Sequence, residues 1–147
     1  MWTLPEPMLA ASVPDPALLP GWATEVKWDG WRALLSLDAG RLVLRSRKGT
    51  DFVPSFPEVC SGTAQLPDAT ALDGELVAWD CGRLAFERLQ GRLQRRGVSS
   101  ARLAEQWPAH FVAFDLLRIA GTDTTRCVRL RGPPRPSNHT DGTTSAR

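Results

Sequence analysis

Hydrophobic and polar positions alternate with period two through much of the first half of the chain. They then shift to spacings of three and four before a last apolar run. Trp22, Thr24 and Val26 alternate against Ala23, Glu25 and Lys27, which predicts a first strand ending near Lys27. Asp29-Gly30 reads as a tight turn into a second strand, on which Trp31, Ala33, Leu35 and Leu37 share one face. Asp38-Ala39-Gly40 turns again, and Leu42, Leu44 and Ser46 alternate with Val43, Arg45 and Arg47 in a third strand, giving an expected antiparallel meander. A proline-punctuated stretch from Val53 to Val59 has room for one helical turn. Ala71 to Trp79 reads as a further strand with Asp73 and Glu75 on one face. After the Asp80-Cys81-Gly82 turn come a short strand, a helical pattern from Phe86 through Leu89 to Leu93, a second helix from Ser99 to Trp107 stopped by Pro108, and an apolar strand from His110 to Leu117. The fold class these elements predict is α+β, antiparallel β-sheets with interposed helices.

The two ends depart from this pattern. Residues 1–21 hold Pro5, Pro7, Pro14, Pro16 and Pro20, each removing an amide donor and biasing its predecessor away from helix, so an extended arm is expected. Residues 127–147 contain only Cys127, Val128, Leu130 and Ala146 as apolar side chains. That is too little burial to offset roughly 1–2 kcal/mol of backbone ordering per residue, so a disordered or frame-shifted tail is expected after Arg126. The body is then residues 22–126. Charge divides the same way: residues 1–126 carry fourteen basic and fifteen acidic side chains, net −1, and the last twenty-one carry four Arg and one Asp, net +3. The overall +2 therefore belongs to the tail. The body has no field demanding nucleic acid, although Arg92, Arg95 and Arg96 form a local candidate for phosphate.

With 147 residues, 42% of them apolar, the chain has material for one domain. Three widely spaced cysteines and two histidines match neither a zinc site nor a disulfide framework. No basic-then-apolar leader and no apolar run of about 20 residues is present, so a cytoplasmic protein with no membrane partner is expected. Of eighteen basic residues, sixteen are Arg and only Lys27 and Lys48 are Lys, so any lysine chemistry has two candidates. The segment Lys27-Trp28-Asp29-Gly30-Trp31-Arg32 sets an amine beside a glycine turn, with Glu25 close by. Its plain reading is a hairpin with solvated charges, but four specified residues at this spacing arise by chance in roughly one window per 10⁵. Phe114 reads from its neighbours Val112 and Leu116 as a core residue, and Asp73 and Glu75, two apart on a strand, as solvated carboxylates.

Further segments in order change those readings. Lys27, Asp29, Gly30 and Arg32, then Ser46-Arg47-Lys48-Gly49, Asp73-Gly74-Glu75, and Phe111 to Leu117 resemble motifs I, Ia, III and IIIa of the covalent nucleotidyltransferases. The closest resemblance is to ATP-dependent DNA ligases of the bacterial end-joining type, over about residues 4–126. Pro7-Met8-Leu9-Ala10 and Phe86-Glu87-Arg88-Leu89-Gln90 are similar to the stretches flanking those motifs. The resemblance implies part of an ATP-grasp-like adenylation domain whose cofactors are ATP and Mg²⁺, with the nucleotide cleft between sheets near Lys27, Glu75 and Phe114. It makes Lys27 the catalytic nucleophile on the α-phosphate of ATP. Glu25, Arg32, Arg47, Glu75 and Phe114 become nucleotide-binding residues, with Arg47 toward the 5′-phosphate of a nick, Glu75 at the ribose hydroxyls or the metal, and Phe114 stacked on adenine. Asp29, Gly30 and Asp73 support them. The implied partner is nicked or broken duplex DNA.

Presenting a lysine of pKa about 10.4 as a neutral amine at pH 7 costs about 4.6 kcal/mol, so cations are expected to converge on Lys27 in a partly water-shielded cleft. No lysine follows Lys48, so the Lys-x-Lys of motif V is not in the sequence, nor are motif IV and the OB-fold domain. The resemblance thus implies a truncated adenylation domain. Its alternatives are a catalytically dead remnant with weak nucleotide or nucleic-acid binding, and an RNA ligase or capping-type nucleotidyltransferase. Unpaired strand edges in an unfinished domain predict self-association.

Overall fold

The computed structural model describes residues 2–7, 9, 14, 20 and 26–125. Its strands are β1 (Trp31–Asp38), β2 (Arg41–Ser46), β3 (Thr70–Asp80), β4 (Arg83–Leu84), β5 (Ala109–Ile119) and β6 (Thr122–Asp123). Among the described residues they form one antiparallel sheet in the order β2-β1-β3-β5-β6, with β4 folded back onto the end of β3. Helices α1 (Pro57–Gly62), α2 (Glu87–Gln90) and α3 (Val98–Gln106) are interposed, with 3₁₀ turns at Val53–Ser55 and Thr63–Gln65. The antiparallel α+β class expected from the pattern is the class observed. None of the described helices is long and apolar enough to cross a membrane.

The expected strand ending at Lys27 is not found where it can be seen. Residues 22–25 lie outside the described residues, and Val26, Lys27 and Trp28 have no strand pairing. The reason is topological: β1 spends one edge on β2 and the other on β3, so Leu34 faces Arg45 on one side and Asp73 on the other. The long-range partner β3 replaces the local strand in the expected meander. The tail expected beyond Arg126 also lies outside the described residues.

Three hairpins close through the same two-residue turn, Ala39-Gly40, Cys81-Gly82 and Ala120-Gly121, with positive φ at both positions. Positive φ at both central residues is the type I′ pattern, whose twist matches that of the flanking strands.

Strand alternation gives the sheet two unlike faces. Ala33 and Leu35 of β1, Leu44 of β2 and Leu76 and Ala78 of β3 pack with Phe52, Phe56, Val59 and Leu89 into the main core, beneath the helices. Trp31 completes it, stacked on Phe52 with ring centroids 5.5 Å apart and edge-on to Phe86 at 6.0 Å. Arg92, read from the sequence as part of a phosphate patch, is instead 1% exposed. Its guanidinium grips Glu58 at 2.5 and 3.0 Å and donates to the Ser55 carbonyl at 2.8 Å, joining the α2 turn to α1. Only Arg95 and Arg96 of that patch are exposed. On the opposite face, Leu34, Ala71 and Leu117 form a small cluster capped by Trp2 and Leu4 of the N-terminal arm. The Trp2 indole donates to Asp123, and Arg118 lies over its ring.

Candidate active site

The second sheet face carries the residues singled out by the sequence. On β3 the alternation that sends Leu72, Leu76 and Ala78 to the core turns Asp73, Glu75, Val77 and Trp79 the other way. Gly74, between the two carboxylates, must be glycine, because a Cβ there would stand 2.5 Å from the Val112 carbonyl and 2.7 Å from the Phe111 ring. Arg32 of β1 lies directly opposite Glu75.

Arg32 is the hub. Its Nε donates to Asp73 Oδ1 at 3.1 Å and its Nη2 to Asp73 Oδ2 at 2.7 Å, a two-pronged pair in which Asp73 is 3% exposed. The guanidinium also lies over the Phe114 ring, 5.3 Å from its centroid. Asp73, Glu75 and Asp115 all act on Arg32 electrostatically, so this part of the face is acidic and not the convergence of cations expected around Lys27. The two carboxylates of β3 have different environments. Asp73 is enclosed and paired with Arg32, not solvated, whereas Glu75 is half-buried and burial pushes its carboxyl up, opposed by the Gly30 amide and the Arg32 guanidinium.

Phe114 is not core. The register passes from Asp73 opposite Asp115 to Gly74 opposite Ala113, so two residues of β5 oppose one of β3. This β-bulge puts Phe114 and Asp115 together beside Asp73, and it returns Leu116 to the core face opposite Leu72. The period-two count that grouped Phe114 with Leu116 fails at that extra residue. Asp115, to which the sequence reading gave no role, enters the site by the same bulge.

Lys27 is exposed, four residues before β1 begins, within electrostatic reach of Glu75 and without the shielding expected of it. The segment holding it lies close on β3: a Cβ on Gly30 would meet the Leu76 carbonyl oxygen at 2.1 Å, so the glycine is required by backbone approach to a strand and not by a hairpin turn. Arg47 and Lys48, both exposed on the turn after β2, line one cleft of about 350 Å³ together with Ser46, Thr50, Gly30 and Arg32. The structure therefore joins Gly30, Arg32, Arg47 and Lys48 in one cleft, and Arg32, Asp73, Glu75 and Phe114 in one cluster. Asp29 and Lys27 lie near Glu75. Glu25 lies outside the described residues. No cluster of three or more His, Cys, Asp or Glu able to hold a metal occurs among the described residues.

Comparison with known proteins bears on what this face does. Residues 7–131 match the ATP dependent DNA ligase domain family. The chain is 43% identical over 120 residues to DNA ligase C2 of Mycolicibacterium smegmatis, covering 81% of this chain and 33% of that protein. It is 38% identical over 132 residues to the bifunctional non-homologous end joining protein LigD of Bacillus subtilis, covering 82% of this chain and 20% of that one. The chain spans about a third of the length of the curated DNA ligases C it matches. Among solved structures, the ligase domain of LigD from M. tuberculosis superposes with a TM-score of 0.51 at 34% identity, over 67% of this chain and 30% of that chain. The motifs on the second sheet face, the curled antiparallel sheet and the match over residues 7–131 agree, and the chain belongs to the ATP-dependent DNA ligase domain family.

Proposed function

We propose that this chain supplies the lysine, ribose-binding and phosphate-binding elements of ligase adenylation. The observation that carries the proposal is the assembly of Arg32, Asp73, Glu75 and Phe114 on one sheet face. Lys27 stands at its margin, and Arg32 borders the basic cleft of Arg47 and Lys48. In the first step the Lys27 amine, having lost its proton to water or base, attacks the α-phosphorus of ATP. The N–P bond forms, the bond from the α-phosphorus to the bridging oxygen breaks, and pyrophosphate leaves with the electron pair.

Phe114 offers a ring for adenine, on whichever face Arg32 leaves open, and Arg32 holds that ring and Asp73 in register. In this reading Glu75 contacts the ribose hydroxyls or a metal. One half-buried carboxylate fits Mg²⁺, which keeps several waters and completes its shell with substrate phosphates. When bound, Mg²⁺ would neutralise charge on those phosphates. In the same reading AMP then passes to a 5′-phosphate of nicked or broken duplex DNA, a 3′-OH displaces it, and Arg47 and Lys48 contact phosphate across the cleft.

Incubation with α-labelled ATP and Mg²⁺, followed by peptide mapping, tests the proposal. Label should map to Lys27 and vanish in Lys27→Ala. Label retained by that variant refutes the assignment of the nucleophile, and a wild-type chain that takes no label refutes the proposed adenylation.

A further inference from the structure

Lys27 stands on a segment without strand pairing, so something other than a hydrogen-bonded ladder must fix its position. Two contacts do, and both reach β3. The Gly30 backbone lies against the Leu76 carbonyl, and the Trp28 ring meets Trp79 edge-on, centroids 6.4 Å apart and planes at 81°. Gly30 is three residues from Lys27, whereas Trp28 is its immediate neighbour. Trp79 shares the sheet face of Asp73, Glu75 and Val77 by strand alternation, and Leu84 of β4 pairs with it.

We propose that Trp79 is a positioning residue for the nucleophile, acting through Trp28 to hold the Val26–Gly30 segment on β3. The inference rests on the reading of Lys27 given above. Core packing does not account for Trp79. It is 42% exposed and belongs to neither apolar cluster, and a large ring in solvent at the end of a strand is stabilised chiefly by its contact with Trp28. The edge-on geometry limits how far Trp28 can swing, and through the shared backbone it limits the arc over which the Lys27 amine can approach a phosphorus atom. Without this contact the segment is held only at Gly30, and Lys27 samples positions off the line of attack.

Trp79→Ala and Trp79→Phe, compared with wild type in single-turnover labelling across a range of ATP concentrations, test the proposal. The limiting rate should fall about fivefold in Trp79→Ala, with the half-saturating ATP concentration unchanged within about twofold. Trp79→Phe, which keeps an aromatic edge partner, should recover to within about twofold of wild type. A Trp79→Ala variant with the wild-type limiting rate overturns the proposal. So does one whose defect lies wholly in half-saturation, which would make Trp79 a nucleotide contact.

Limited trypsin digestion reads the same contact without turnover. Cleavage after the exposed Lys27 should be about fivefold faster in Trp79→Ala, with cleavage after Arg47 and Lys48 unchanged, and an unaltered cleavage rate overturns the proposal whether or not the chain takes label. Label that persists in Lys27→Ala, or is absent from wild type, counts against the Lys27 reading alone, because the cleavage result stands apart from it.

Discussion

Replacing Arg92 by Met removes the charge that ties the helical layer together while keeping most of the side chain's length. The Arg92 side chain is 2% exposed and that of Glu58 18%. Between them they hold the Ser55 carbonyl, the Trp107 carbonyl and the Ala109 amide, and Arg92 also lies over the Phe56 ring at 4.6 Å. Breaking a buried pair by removing one partner costs about 3–5 kcal/mol, because the other charge stays buried. Glu58 keeps the Ala109 amide and some solvent, so the low end applies, and the lost ring contact adds up to about 1 kcal/mol. A loss of about 3 kcal/mol is a large share of the 5–15 kcal/mol by which domains are stable, and corresponds to a fall of about 10 °C in Tm.

Denaturant titration followed by circular dichroism, at unchanged slope, measures this loss. Glu58→Met alone should be comparably damaging, since it strands a buried guanidinium. The double variant should cost at least about 1.5 kcal/mol less than the sum of the two, because it leaves neither charge behind. Arg92→Met within 1 kcal/mol of wild type, or a strictly additive double variant, would show that the pair is not what joins these elements.

Gly30→Ala drives a methyl into the Leu76 carbonyl and should destabilise by about 1–3 kcal/mol, whereas Gly91→Ala, with no atom within 4 Å of its Cβ, serves as a neutral control. Equal denaturation midpoints for the two would sink the close-approach argument. Asp80 accepts hydrogen bonds from Arg88 and from the Cys81 thiol, and the Arg88 guanidinium foremost holds its carboxyl below the usual range. Its stabilisation is therefore present above the ordinary aspartate pKa, near 4, and is lost as pH falls through the depressed value. The midpoint gap between wild type and Asp80→Asn should shrink from pH 6 to pH 2, and a constant gap would show that the pair contributes nothing through charge.

Local pattern revealed the elements whose signals are local. Alternation found β1, β2, β3 and most of β5, and Asp38-Ala39-Gly40 and Asp80-Cys81-Gly82 marked two of the three hairpins. It missed what depends on distant partners. Val26 and Lys27 continue the period of a strand but do not pair with β1, because β3, forty residues later, occupies that edge of β1. The site divides in the same way. Lys27, Arg32, Arg47, Glu75 and Phe114 are legible as spaced motifs, yet Asp115 reaches the site through an extra residue on β5 that no count of alternation reveals. Arg92 looked like a surface cation because its partner, Glu58, is thirty-four positions away. Trp79 drew no notice because an exposed tryptophan at a strand end has no local signature.

The three X-Gly hairpin turns have a bearing on how far this scaffold can be altered. Ala39, Cys81 and Ala120 each occupy left-handed backbone, which costs an L-residue with a Cβ about 1–2 kcal/mol and which Asn tolerates better. These positions therefore form an untapped reserve at three turns that line neither the basic cleft nor the Arg32 cluster. Asparagine at Ala39 and Ala120, which leaves the Cys81–Asp80 bond in place, would recover part of that cost and help keep disruptive substitutions at the Arg32 hub folded while their chemistry is measured.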